Sequence, residues 1–239
     1  MNYFCTSKRE KMAKKVDKTE DKIVAVEEAL SKTEHFIEKN QKVLSIVVGA
    51  IIVIILGYFG YQRFYIAPLE KEAQSQMFMA EIYFSQDSLD LALNGDGNYL
   101  GFLDIIDEFG SAKPAKLANY YAGICFLKKG EFENAIAYLE DFKIDDKVIA
   151  PMATGAIGDA YLELKDYENA ADYYLKAADK DGNSFTAPIF LLKAGRTFEL
   201  QENYAKAVDA YERILKDYEL SMEARNIEKD IARAKELAK

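Results

Sequence analysis

The chain has 239 residues, of which 50% are hydrophobic, and its single histidine is His35. Beyond residue 42 it therefore has no side chain for a Ser-His-Asp triad or a histidine-ligated zinc ion. Residues 1–42 hold ten Lys or Arg and eight Asp or Glu, which leaves 21 basic against 32 acidic residues, a net charge of −11, in the rest. That charge disfavours nucleic acids and anionic lipids as partners. Because Walker, CxxC and GxGxxG patterns are absent from the sequence too, we expect no enzyme activity, no cofactor and no metal site.

Residues 1–42 are predicted to form a cytoplasmic tail that contains an amphipathic helix. Apolar residues around Leu30 follow a heptad spacing, which permits a homodimer through the tail, although two heptads of this quality make a marginal coiled coil. A solvated helix that leads into the next segment is the favoured alternative. Met12 is a second candidate for the start of translation.

Residues 43–61 contain no charged side chain over 19 positions. At about 1.5 Å per residue, a helix of this length crosses a hydrocarbon core of roughly 30 Å. The alternative is a buried helix of a soluble protein, but such a helix normally keeps a polar stripe, and this segment has none. The segment therefore predicts a single transmembrane helix in contact with lipid.

The charges beside this segment predict its orientation. The lysines that precede it are Lys22, Lys32, Lys39 and Lys42, whereas Arg63 and Lys71 follow it. The positive-inside rule then places the N-terminus in the cytoplasm and the large domain outside. In that topology Cys5 and Cys125 lie on opposite sides of the membrane and cannot form a disulfide, and we expect Cys125 to be a small buried residue.

Residues 62–115 are predicted to form a connector and a divergent first helical hairpin. Helical patterns cover Leu69–Phe84 and Leu100–Phe109, and the stretch that starts at Asn94 favours turns. Asp96 and Asn98 in that stretch are too few ligands for a calcium loop of the EF-hand kind.

A pattern of small and aromatic residues recurs three times between residues 116 and 218. In each copy, the first helix has a small residue followed three positions later by an aromatic residue. After a turn, the second helix has a further aromatic residue and then an alanine, which a large side chain follows four positions later. The three copies are Gly123, Phe126, Phe132, Ala135 and Leu139; Gly158, Tyr161, Tyr167, Ala170 and Tyr174; and Gly195, Phe198, Tyr204, Ala207 and Tyr211. The small residues allow two helices to approach, and the large side chains fill the space between the helices.

This spacing resembles the tetratricopeptide repeat, although Asn119 occupies a position where that repeat usually has an aromatic residue. The resemblance implies an α-solenoid of helical hairpins in a right-handed superhelix. Together with the N-terminal transmembrane helix, this predicts an all-α fold. Pro151 and Pro188 indicate helix N-termini, because proline is tolerated in the first turn of a helix and disrupts its interior. Residues 219–239 are predicted to form a C-terminal capping helix with an apolar stripe at Ala224, Ile227, Ile231 and Ala234.

The concave face of such a solenoid is lined by the first helix of each hairpin, and it is the candidate protein-binding face. By repeat position this face should include Tyr120, Ile124, Lys128, Asp159, Leu162, Glu163, Arg196 and Glu199. Ordinary solenoid surface is the alternative for each of these residues. Repeats that clamp a peptide's C-terminal carboxylate use Lys and Asn at set positions, so the resemblance does not imply such a clamp here.

The order of tail, membrane helix and repeats resembles the ancillary subunit of the bacterial Sec translocon. That resemblance implies a non-catalytic protein of the bacterial inner membrane with a periplasmic solenoid. Its partners would be translocon components, secreted chains or a periplasmic chaperone. Two alternatives are a scaffold of another cell-envelope assembly complex and a structural tether that self-associates through its tail.

Overall fold

The computed structural model describes residues 38–239. The described residues divide into two units, residues 38–62 and Arg63–Lys239. The predicted tail helix around Leu30, Cys5 and His35 lie outside the described residues. In the first unit, residues 38–61 form helix α1. A helix over Glu38–Ser85 is long and apolar enough to cross a membrane, and no part of its most apolar window is buried by the described chain.

The all-α fold predicted from the sequence is confirmed, since residues 38–239 contain helices and no strand. A π-helical turn, Gln62–Ile66, follows α1. The α-helices of the second unit are α2 (Ala67–Ser85), α3 (Leu89–Asn94), α4 (Phe102–Phe109), α5 (Lys113–Lys129), α6 (Phe132–Asp141), α7 (Ile149–Glu163), α8 (Tyr167–Asp179), α9 (Ala187–Leu200), α10 (Tyr204–Asp217) and α11 (Ile227–Leu237).

Helices α5–α6, α7–α8 and α9–α10 form three hairpins with the same turn. Each turn places one residue in the left-handed region: Gly130 (φ 79°), Lys165 (φ 61°) and Glu202 (φ 57°). The next residue then donates its backbone N–H to a carbonyl five positions earlier, as Asp166 does to Tyr161 at 2.9 Å. This bond satisfies a carbonyl at the end of the first helix of the hairpin.

Helices α2 and α3 form a fourth hairpin with this same turn. It lies within the residues predicted to hold a divergent first hairpin, but the sequence analysis did not predict α3 as its second helix. Asp87 takes the left-handed position (φ 58°), and Ser88 donates its backbone N–H to Tyr83 at 2.9 Å. Ala80 and Ala92 hold the two small-residue positions and are fully buried. The second helix of this hairpin ends at Asn94, and a compact loop separates it from α4, which packs on α5.

The small residues of the repeats lie where the two helices of each hairpin touch, as the sequence predicts. A Cβ atom added at Gly123 would lie 2.5 Å from Leu139 Cγ, and one added at Gly158 would lie 2.8 Å from the Tyr174 ring. Gly195 faces the Tyr211 ring in the same way. Tyr174 and Tyr211 are fully buried, so these rings form the centre of their hairpins.

The predicted helix starts and the predicted cap are both confirmed. Pro151 and Pro188 lie in the first turns of α7 and α9. The C-terminal segment begins with a 3-10 turn, Glu223–Asn226, and continues as α11 against α10. Its predicted stripe is buried, with Ile227 1% exposed and Ala234 fully covered.

Candidate protein-binding surface

Four of the eight predicted binding residues line one groove beside the α5–α6 turn. This groove, here called the α5–α7 groove, has a volume of about 490 Å³. Its lining residues are Leu127, Lys128, Lys129, Gly130, Phe132, Asp159, Leu162 and Glu163. Lysines from α5 and carboxylates from α7 therefore surround leucine and phenylalanine side chains, a combination suited to a protein segment that carries both apolar and charged residues.

Asp159 is bonded inside the solenoid. Its carboxylate accepts the Tyr174 hydroxyl at 2.6 Å and the Lys193 ammonium at 2.7 and 2.8 Å, so it joins α7 to α8 and α9. Burial and the nearby carboxylate raise the pKa of Tyr174, because both disfavour a phenolate. Asp159 is therefore a structural residue as well as a wall of the groove.

Glu199 makes the corresponding contacts one hairpin later. Its carboxylate accepts the Tyr211 hydroxyl at 3.1 Å and the Arg233 guanidinium at 2.9 and 3.1 Å. Arg233 lies on α11, so the capping helix occupies the surface around Glu199. The two sites have the same arrangement. In each, a carboxylate on the first helix of a hairpin accepts the hydroxyl of a buried tyrosine and binds a cation, which comes from the next hairpin for Asp159 and from the cap for Glu199.

Tyr120 and Ile124 are half-buried and pack against α6 and α7 rather than lying open. The Tyr120 ring is 5.8 Å from the Phe142 ring, and both Tyr120 and Ile124 contact the cluster that contains Leu139 and Ala153. Burial raises the pKa of the Tyr120 phenol. These two residues hold the first and second predicted repeats together.

Lys128 is exposed but already paired within the chain. Its ammonium binds the carboxylate of Asp87 in the α2–α3 turn and lies 5.6 Å from the centre of the Phe84 ring. Lys129 likewise binds Asp90 at 2.7 Å. Asp87 and Asp90 of the α2–α3 hairpin thus fix the position of the basic wall of the α5–α7 groove.

Glu163 and Arg196 are the two predicted charged residues that remain for a partner. Both are exposed, and the side chain of neither makes a hydrogen bond or an ion pair to another residue within 38–239. Leu162 is half-buried next to Glu163 and keeps part of its side chain accessible. The structure therefore brings Leu162 and Glu163 together with the paired Lys128 and Asp159, and it leaves Arg196 one hairpin further along.

The described residues contain no group of three His, Cys, Asp or Glu side chains that could hold a metal ion. Cys125 is fully buried, and burial raises its pKa to about 12, so its thiol is neutral near pH 7. Asp96 accepts the backbone N–H groups of Asn98 and Tyr99 and the hydroxyl of Tyr83. Its carboxylate thus shapes the loop before α4.

The sequence analysis missed the cations that pair with the binding-face carboxylates. Lys193 and Arg233 each lie 34 positions after their partner, Asp159 and Glu199. A search for opposite charges about one repeat length apart could have found both pairs.

Comparisons with known proteins agree with this geometry. One family model described as "Tetratricopeptide repeat" matches residues 117–144 and 190–221, and a second with the same description matches residues 155–181. The chain is also similar to "Uncharacterized protein ycf37" of Guillardia theta, with 30% identity over 121 residues. That match covers 49% of this chain and 66% of the relative, slightly less than two thirds of its length. The three hairpins α5–α6, α7–α8 and α9–α10 are therefore tetratricopeptide repeats.

Proposed function

We propose that this protein is a membrane-anchored, non-catalytic scaffold whose repeats bind a protein partner. One observation carries the proposal: the apolar window in the helix Glu38–Ser85 is entirely unburied, although the rest of the described chain has a well-filled core. A helix of that composition is stable when lipid covers it. The repeats that follow it are of a kind typical of protein binding.

The orientation in this proposal rests on charge. Lys39 and Lys42 precede the apolar segment and Arg63 follows it, with further lysines upstream. We propose a cytoplasmic N-terminus, a single span in the bacterial inner membrane and a periplasmic solenoid.

The α5–α7 groove is the proposed binding site. A partner would place an apolar side chain against Leu162 and a basic group beside Glu163, which has no partner of its own among the described residues. The proposed partners are components of the Sec translocon, a chain emerging from it or a periplasmic chaperone. The order of tail, span and repeats supports this choice.

The first experiment tests partner capture. We expect Glu163→Lys to reduce recovery of the partner when the protein is purified from gently solubilised membranes and analysed by mass spectrometry. Glu168→Lys, a charge reversal at an exposed residue of α8, is the matched control and should leave recovery unchanged. Recovery of Sec subunits supports the proposed role, whereas a different stable assembly or self-association alone would replace it by one of the two alternatives.

The second experiment tests the membrane anchor. We expect the protein to stay in the membrane fraction after carbonate washing, because roughly 20 apolar residues in lipid resist extraction. Protease added to intact spheroplasts should degrade the solenoid, and an epitope at the N-terminus should survive. Release by carbonate would contradict the anchor, and survival of the solenoid would contradict its orientation.

A further inference from the structure

Two loops that join successive hairpins, and the loop that joins the last hairpin to the capping segment, lie along one edge of the second unit. They are residues 142–148, 180–186 and 218–222, here called the loop edge. Asn183 donates from Nδ2 to the carbonyl of Lys147 at 2.8 Å, which joins the first loop to the second. Tyr218 donates from its hydroxyl to the carbonyl of Gly182 at 3.4 Å, which joins the second loop to the third.

The loop edge carries large apolar side chains that the chain leaves uncovered. Val148 is 43% exposed, Phe185 68%, Leu220 92% and Met222 75%. The loop that carries Phe185 is ordered, since Asn183 Oδ1 accepts the backbone N–H groups of Phe185 and Thr186. A fixed series of exposed apolar side chains indicates an interaction surface.

The first turns of α2 lie beside the loop edge. One groove is lined by Glu70 and Gln74 from α2, by Lys113 and Leu117 from α5, and by Ile144 from the first loop. In the sequence, residues 43–61 come shortly before α2. The start of α2 therefore lies beside the first loop of the loop edge, and the apolar segment precedes α2 in the chain.

The loop edge is also nearly neutral. Its three loops contain three lysines and four acidic residues, although residues 43–239 as a whole carry a net charge of −11. Repulsion from lipid headgroups is consequently small at this edge, and it is smallest for zwitterionic lipids.

We propose that the loop edge lies on the bilayer surface, with Phe185, Leu220 and Met222 in the headgroup region. This inference rests on the membrane anchor proposed above. The proposed anchor and the loop edge belong to one covalent chain, which raises the effective concentration of the loop edge at the bilayer, so weak partitioning is enough to hold it there. A second copy of the chain is the alternative occupant, and such an interface would have to bury roughly 800 Å² on each partner.

Lipid-quenching experiments on the full-length chain in phosphatidylcholine vesicles test this inference. A bimane label is attached to Phe185→Cys or Leu220→Cys in a Cys5→Ser background, and Cys125 is buried and therefore protected from labelling. The control label is at Leu200→Cys, which is 58% exposed and lies at the other end of α9, about 20 Å from Phe185 along the helix. We expect brominated phosphatidylcholine to reduce the fluorescence about twofold at positions 185 and 220 and to leave position 200 almost unchanged.

Flotation of the same vesicles separates the two proposals. If the labelled protein does not float with lipid, the membrane anchor itself is wrong. If the protein floats but positions 185 and 220 are not quenched, or position 200 is quenched equally, the loop-edge inference is overturned and the anchor stands. Disulfide crosslinking between two chains at position 220 without quenching would assign the loop edge to a second copy and would also overturn the inference.

Discussion

Gly158 shows how one side-chain position controls a whole hairpin. The Tyr174 ring fills the space where its Cβ would be, and the Tyr174 hydroxyl is bonded to Asp159, so the ring has little freedom to move. Gly155, which the sequence pattern did not single out, gives the same close approach to Phe190 on α9. One turn of α7 thus allows contact within a hairpin and between hairpins.

We expect Gly158→Leu to lower the free energy of unfolding by several kcal/mol. The leucine would push α7 away from α8, and overpacking of this kind costs about 1–3 kcal/mol or more. Chemical denaturation followed by circular dichroism measures the change. The control is Asp172→Leu, which adds a leucine at an exposed position of α8 and should hardly change the free energy of unfolding. If Gly158→Leu were as stable as the original protein, the hairpin would not need the close approach of α7 and α8 at Gly158.

Asp159 and Glu163 lie four residues apart on α7, and their environments differ. The sequence analysis treated both as binding residues, whereas the structure bonds Asp159 to Tyr174 and Lys193 and leaves Glu163 without such bonds to the described chain. We expect Asp159→Ala to cost about 1–3 kcal/mol of stability, because it leaves the buried Tyr174 hydroxyl without an acceptor. Glu163→Ala should stay within about 0.5 kcal/mol of the original protein.

Thermal melts of the two variants distinguish these roles. Equal melting temperatures for both variants would contradict the structural role of Asp159. Because Asp159→Ala combines lost stability with a changed groove, Glu163 is the better residue for tests of binding.

At the scale of elements, α11 completes the last hairpin. It covers α10 with Ile227 and Ile231, and its Arg233 reaches back to Glu199 on α9. Solenoids need such a terminal element because the last hairpin otherwise exposes an apolar face.

We expect Ile227→Ala to destabilise the protein by about 2–5 kcal/mol, since Ile227 is 1% exposed. Leu237→Ala on the same helix is the control, because Leu237 is 52% exposed and should contribute little. Differential scanning calorimetry compares the two. A loss no larger than that of the control would mean that α11 is dispensable to the α9–α10 hairpin.

The α2–α3 hairpin shows why sequence pattern alone missed an element. Ala80, Tyr83, Leu89 and Ala92 follow the repeat spacing, but α3 ends after six residues, before the position at which the other copies have Leu139, Tyr174 or Tyr211. The interruption removes the residue that would complete the pattern. Only the left-handed turn at Asp87 and its backbone hydrogen bond identify the hairpin.

At the scale of the whole second unit, polar bonds repeat with the period of the hairpins. The bonds from Lys193 to Asp159, from Gln201 to Tyr167 and from Arg213 to Asp179 all join residues 34 positions apart. Each hairpin is therefore bonded to its neighbour in a regular way, as expected when stability comes from stacking of adjacent repeats.

Several groups across this unit predict a loss of stability in alkali. Burial raises the pKa of Cys125 to about 12, and burial together with the Glu140 carboxylate raises that of Tyr173 to about 12. Above pH 9 the unfolded chain releases these protons first, so the free energy of unfolding should fall as the pH rises from about 9 to 12. Denaturation curves at several pH values measure this slope.

Cys125→Ala separates the thiol contribution. Between about pH 9 and 12, the substitution should make the fall in the free energy of unfolding smaller by up to about 1.4 kcal/mol per pH unit. A slope that the substitution leaves unchanged would contradict a buried thiol at position 125. In native protein at neutral pH, maleimide should leave Cys125 unmodified until the chain is unfolded.

The sequence by itself determined the elements that depend on local pattern and composition. The uncharged run can be recognised without any knowledge of the packing. Small and aromatic residues at helical spacing specify the hairpins, the turns and the cap, because the contacts between them lie within one or two repeats. Only the tertiary structure decided which charged residues are free. Asp159, Glu199 and Lys128 look equivalent to Glu163 and Arg196 in the sequence, but each pairs with an opposite charge on another element, and that pairing depends on the packing of neighbouring hairpins.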